Sequence, residues 1–356
     1  MKMETGLPSL RKYDFPQSVA EALKIIHGEC ERMSKNADSL SQDLEKLTDY
    51  IDEYVFGNPR AGKQKKLGSI QQLQIIQVLT DYFSADTDFS LLCSVFMVVF
   101  LAKGRQVDFK ISTLSKLLSL NLGEGNTTFL NCAALWWTQQ PPSSQPCITV
   151  TKSLVQEYIT LLPDKDISLA NIPDRSPLLA GILLTYFSDL YPAPQSNSTF
   201  SPPPIQLVRI GFSWLKDNLD LCGALGETES QGVVSMLERS PVSGMLVWTI
   251  FSPLTGKTDE RLLYSKLHFT LLQHITEENC KFSIPPGFLS NLTETLLSTF
   301  NSGGFSEAQI NESLDRFGQM LQASRTANTW IDQDLVLLIN QLPYNRLINI
   351  ILSNLT

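Results

Sequence analysis

Residues Asp38 to Phe56 read DSLSQDLEKLTDYIDEYVF. Leu40, Leu44, Leu47, Ile51 and Tyr54 recur in it at spacings of three and four. Successive residues of an α-helix turn by about 100°, so this spacing lays one apolar stripe along one helical face. Gly57 and Pro59 follow and end the pattern, as residues that break a helix do. The same period recurs downstream. Ser69 is predicted to cap a helix whose inner face is Ile70, Leu73, Ile76, Leu79 and Phe83; a serine hydroxyl can accept one of the orphan N–H groups there. Ser176-Pro177 marks another start, since proline fits the first helical position. Ser306 and Gln309 have the spacing of a capping box ahead of Ile310, Leu314, Phe317 and Leu321.

Extended along the chain, this period gives about fifteen helices, most of them joined by short connections. No stretch alternates strictly between apolar and polar residues, so no sheet is expected. The fold class is therefore all-α. The expected architecture is an irregular helical-repeat α-solenoid of the HEAT or armadillo kind, in which each helix pair buries its face on the next. Tyr191 to Pro204 (YPAPQSNSTFSPPP) interrupts the period. Proline fixes φ and removes a donor, so this stretch is a turn or an extended linker. It is expected to separate an N-terminal lobe, residues 1–191, from a C-terminal lobe, residues 205–356, with 192–204 between them. A ligand for an aromatic-groove domain is the weaker reading of the same prolines.

The 356 residues are 43% hydrophobic and 18% charged, with net charge −8. Such a chain can bury a sizeable core and is not expected to be disordered. Its acidity excludes a general nucleic-acid binder, because phosphate contacts need Lys and Arg; any such contact is expected to be indirect or weak. Six scattered cysteines, none at C-x-x-C spacing, read as buried thiols of a reducing compartment. Met1 to Lys12 is polar and lacks the apolar core of a secretory signal. Phe89 to Ala102 (FSLLCSVFMVVFLA) is the most apolar stretch. It is too short for a bilayer, which needs about 20 residues of helix, and reads as a core helix.

Residues that carry chemistry are sparse. There are three histidines; His268 and His274 are six apart, on opposite faces of a helix, and none has a metal-ligating neighbour. No metal or cofactor is expected. Gly256-Lys257-Thr258 imitates the end of a phosphate-binding loop, but Phe251 stands where that motif needs its first glycine and Pro253 interrupts it. Asp52-Glu53 and Glu277-Glu278 are adjacent on helices, so their side chains diverge and read as solvated faces. One basic loop remains, Arg60, Lys63, Lys65 and Lys66; it could meet phosphate or an acidic partner, or be solvated. Trp136 and Trp137 are adjacent. Either one faces outward, making Trp137 an interface anchor, or both are buried. Trp214, Trp248 and Trp330 read as core. No enzyme is expected, and no small-molecule substrate or membrane.

Four strings carry a resemblance: Ser69 to Phe83 (SIQQLQIIQVLTDYF), Leu262 to His268 (LLYSKLH), Ser313 to Gln322 (SLDRFGQMLQ) and Leu342 to Leu347 (LPYNRL). In that order they resemble subunit 15 of the Integrator complex, from about Leu40 onward. The resemblance implies a nuclear, non-catalytic, all-α scaffold in the assembly that processes small nuclear RNA 3′ ends and regulates RNA polymerase II transcription. It implies other Integrator subunits as partners, foremost the arm of subunits 10, 13 and 14. Two departures stand out. The family carries a long Pro- and His-rich tail where this chain stops at Thr356, and the loop at Phe251 to Arg261 is shorter and less basic.

Within the matching strings, Tyr264, Lys266 and His268 are candidate partner contacts. Leu263, Leu267 and Leu271 form the apolar stripe of that helix, and Tyr264 and His268 lie four apart on a neighbouring face. That face suits either a partner or a polar pair between helices. Arg346 follows the joint Leu342-Pro343-Tyr344-Asn345; it either reaches a partner carboxylate or belongs to a structural helix break. The alternative to the scaffold is a helical-repeat RNA-binding module using the Arg60 to Lys66 loop.

Overall fold

The computed structural model describes residues 9–35, 40–57, 67–85, 87–101, 103–141, 144–161, 169–194, 200–222, 241–276, 284, 286–326 and 332–354. Among them are sixteen α-helices and no strand. The chain forms two compact units, Met1–Leu154 and Val155–Thr356.

The first unit holds α1 (Gln17–Lys35), α2 (Leu40–Tyr54), α3 (Ser69–Phe83), α4 (Phe89–Val99), α5 (Val107–Glu124), α6 (Thr127–Thr138) and α7 (Gln145–Leu154). The stripe of α2 is buried as its spacing predicts, through Leu47, Ile51 and Tyr54. Helix α4 is the core helix read from its composition, with Leu92, Val95, Phe96 and Val99 buried. Its start is fixed by Asp88, whose carboxylate accepts the N–H of Leu91 at 3.0 Å. Phe83, Phe96 and Phe129 meet edge to face, with centroids 5.3 to 5.8 Å apart, and join α3, α4 and α6. Fully burying a phenylalanine contributes about 1.5–3 kcal/mol.

Helix α3 departs from its expected reading. The cap is Gly68, one residue earlier, whose N–H donates to Gln71 Oε1 at 3.1 Å. The buried face is Ile75, Leu79 and Phe83, whereas Ile70 and Leu73 are 74% and 66% exposed. Both faces of α3 carry apolar residues, so spacing alone did not choose between them.

A buried ion pair closes this unit. Lys110 is fully buried and its Nζ lies 2.7 Å from Asp52 Oδ1. Asp52 Oδ2 accepts the Arg105 N–H at 2.6 Å, and Lys110 Nζ also donates to the Lys103 carbonyl at 3.1 Å. Gly104 has φ +96 and passes so close to the Asp52 carboxylate that a Cβ there would clash. Asp52 is thus not part of a solvated face. It does diverge from Glu53, which meets exposed Arg11 at 3.0 Å.

The second unit contains a π-helical turn (Val155–Leu161), then α8 (Ile172–Arg175), α9 (Pro177–Leu190), α10 (Ile205–Asp217), α11 (Pro241–Phe251), α12 (Arg261–Thr276), α13 (Pro286–Asn301), α14 (Glu307–Thr326), α15 (Gln333–Ile339) and α16 (Arg346–Ser353). Pro177 occupies the first turn of α9 as expected. The described residues of Tyr191 to Pro204 lie inside this unit. Helix α11 packs on α9 from beyond them, and Trp248 Nε1 donates to the Tyr191 carbonyl at 2.9 Å.

In both units the recurrent contact skips one helix. In the first, α1 packs on α3, α2 on α4, α3 on α5, α4 on α6 and α5 on α7. In the second, α9 packs on α11, α10 on α12, α12 on α14, α13 on α15 and α14 on α16. No helix among the described residues is long and apolar enough to cross a membrane.

Candidate partner-binding surface

The segment before α12 settles the imitation phosphate loop. Ser252–Thr255 and Thr258–Glu260 are short 3-10 turns separated by Gly256 at φ +71. A phosphate loop needs successive backbone N–H groups curling round an anion. Here the Gly256 N–H turns back to Pro253 O at 3.5 Å, and Lys257 lies 3.4 Å from Glu260.

Helix α12 divides into two faces. Tyr264, Leu267, His268, Leu271 and Ile275 are buried, while Leu262, Ser265, Lys266, Phe269 and Gln273 are exposed. Behind the buried face stands Arg316 of α14, 5% exposed. Its Nη1 donates to the Thr249 carbonyl and to Ser252 Oγ, each at 2.6 Å. Its Nη2 donates to Ser265 Oγ at 3.0 Å and to Glu312 Oε1 at 2.9 Å. Glu312 in turn holds exposed Arg261 at 2.6 Å. One guanidinium thereby ties α14 to α11 and α12. A planar fork with five N–H donors suits such divergent acceptors.

His268 bridges α12 and α11 through its Nδ1, 2.9 Å from Thr249 Oγ1. The threonine proton is already given to the Leu246 carbonyl. Burial, and next the Arg316 charge, lower the His268 pKa to about 4, so the ring is neutral near pH 7. Burial, reinforced by Glu260, raises the Tyr264 pKa. Tyr264 also lines a cleft of 320 Å³ with Pro253, Lys257, Arg261, Gln309 and Glu312.

The residues expected to bind a partner thus fall into different environments. Tyr264 and His268 are buried, and His268 makes the polar pair between helices. Lys266 and Arg346 are exposed. Trp137 is fully buried beside Trp136, whose Nε1 donates to Phe100 O at 3.0 Å. The outward-facing reading of Trp137 does not hold for this chain, because α6 lies against both α4 and α5. Trp214 and Trp248 are core residues as expected. Arg60, Lys63, Lys65, Lys66, Glu277, Glu278 and Trp330 lie outside the described residues.

Sequence reasoning missed Arg316, Leu262 and Phe269. Arg316 shares a face with Ser313 and Met320, more than 90° away from the expected stripe of Leu314, Phe317 and Leu321, so the apolar spacing gave no signal for it. Among the described residues no group of three or more His, Cys, Asp and Glu side chains could hold a metal.

Three of the four strings that carry the resemblance meet around this centre. Ser265 of LLYSKLH bonds Arg316 of SLDRFGQMLQ. Asn345 of LPYNRL donates to Asp315 at 2.8 Å and caps α16 by accepting the Ile348 N–H at 3.1 Å. Gly318 lets α16 approach, for a Cβ there would lie 3.0 Å from Leu347. Residues 7–344 match the family described as Integrator complex subunit 15. The chain belongs to that family. It is 27% identical over 353 residues to the Danio rerio member, covering 87% of this chain and 72% of the relative. The Homo sapiens member is 27% identical over 349 residues, covering 85% and 76%. The Drosophila melanogaster member is 24% identical over 380 residues, covering 99% and 98%.

Proposed function

We propose that this chain is a non-catalytic scaffold subunit of the Integrator complex. In this reading it works in the nucleus and holds other subunits, foremost the arm of subunits 10, 13 and 14. Its contribution to small nuclear RNA 3′-end processing and to control of RNA polymerase II is then architectural. The observation that carries the reading is the family match over residues 7–344, with polar groups spent on joining helices. Arg316, His268, Asp52 and Lys110 all bond within the chain. The recurrent packing of a helix on the next but one supports an α-solenoid, the architecture that offers long surfaces to partners.

The test is affinity purification of the tagged chain from nuclear extract at low and physiological salt, with mass spectrometry of what is retained. Integrator subunits, including 10, 13 and 14, are the expected catch. Their absence at both salts would remove the reading.

A further inference from the structure

Leu262 and Phe269 are 67% and 62% exposed on α12. They lie seven residues apart, two turns of helix, so they share one stripe about 10 Å long. Lys266 stands between them, exposed. Helix α10, which packs on α12, exposes Arg209 and Lys216. None of these three cations is in an ion pair among the described residues. In a chain of net charge −8, this stripe sets an unpaired cation between two large exposed apolar side chains, with two more cations exposed on the neighbouring helix.

We propose that this face of α12 and α10 seats an acidic amphipathic helix from a partner subunit. The proposal rests on the scaffold reading above and names the surface and chemistry it uses. A helix suits the stripe because its own residues at i, i+4 and i+7 form a matching ridge. Its apolar side chains cover Leu262 and Phe269, and its carboxylates meet Lys266, Arg209 and Lys216. The cations set orientation and speed encounter, while the apolar pair carries most of the affinity. Nucleic acid fits less well, since three cations neutralise few phosphates and Leu262 offers a base no stacking surface.

The experiment places a photo-crosslinking benzoylphenylalanine at position 269 of the full tagged chain. Integrator is purified after irradiation and the cross-linked peptides are sequenced. The expected product joins position 269 to an acidic, helical segment of another Integrator subunit. In parallel, Leu262→Asp with Phe269→Asp weakens retention of that subunit on the order of a hundredfold, a double hot-spot loss. Lys266→Glu with Arg209→Glu weakens it less and removes its salt dependence. Both variants alter exposed positions and keep the parent's helical circular dichroism. A cross-link within the chain, to RNA or to a basic or non-helical segment overturns the proposal. So does undiminished retention by the double-aspartate variant. These outcomes arise while the parent chain still purifies with Integrator. If the parent brings down no Integrator subunit, the scaffold reading itself has failed and this one falls with it.

Discussion

Replacing Arg316 with methionine tests the packing around α12. Methionine keeps much of the apolar stem and removes four donated bonds. Glu312 is not orphaned, because Arg261 remains 2.6 Å away. Ser265 is exposed and can turn to water. The losses that count are the Thr249 carbonyl and Ser252 Oγ, both facing the buried Nη1. The Thr249 carbonyl still accepts from Ser252 Oγ at 3.0 Å, so neither group is left without a partner and losing both guanidinium bonds costs about 1–3 kcal/mol. Arg316→Lys recovers only a fraction of this, since one ammonium cannot serve acceptors on three elements. Urea unfolding followed by circular dichroism, with Trp248 fluorescence reporting on α11, measures the change. Lys266→Ala serves as a control within about 0.5 kcal/mol of the parent, as expected for an exposed site. If Arg316→Met unfolds within about 0.5 kcal/mol of the parent, the claim that this guanidinium ties the second unit together is wrong.

Three other outcomes follow from the same geometry. His268 has a folded pKa of about 4 against 6.5 when free, so the unfolded chain binds the proton more readily. Its contribution is present above pH 6.5 and is lost as pH falls toward 4. The full gap corresponds to about 3 kcal/mol, and His268→Asn, which keeps a hydrogen-bonding group near Nδ1, flattens melting temperature between those pH values. Removing Lys110 strands a buried carboxylate, so Lys110→Met costs about 3–5 kcal/mol by urea unfolding, and adding Asp52→Asn restores most of that loss. RNA binding measured by filter retention is expected to be weak. Triple alanine substitution at Lys63, Lys65 and Lys66 leaves it unchanged, whereas a steep salt-dependent loss would favour the RNA-binding alternative.

The helices were legible because the signals that make them are local. The stripe of Asp38 to Phe56 needs only neighbours three and four apart. The capping box at Ser306 forms as read, with the Ser306 N–H donating to Gln309 Oε1 at 2.9 Å. What was illegible depends on residues far away in sequence. Asp52 looks solvated until Lys110 arrives from α5. Trp137 looks able to face outward until α4 and α5 both lie against α6. Ile70 and Leu73 have the spacing of an inner face, but α3 turns Ile75 inward beside the expected Leu79 and Phe83 and leaves those two exposed. The candidate surface was half legible. LLYSKLH drew attention to the right helix, yet the polar-tipped Tyr264 and His268 proved internal. The exposed pair is Leu262 and Phe269, which a sequence pattern assigns to a core by default.

The most direct measurement is co-expression of this chain with Integrator subunits 10, 13 and 14, followed by size-exclusion chromatography and mass spectrometry of each peak. The account predicts that the chain elutes with those subunits in one peak that persists at physiological salt. A chain that elutes alone under those conditions, folded and helical by circular dichroism, would contradict it.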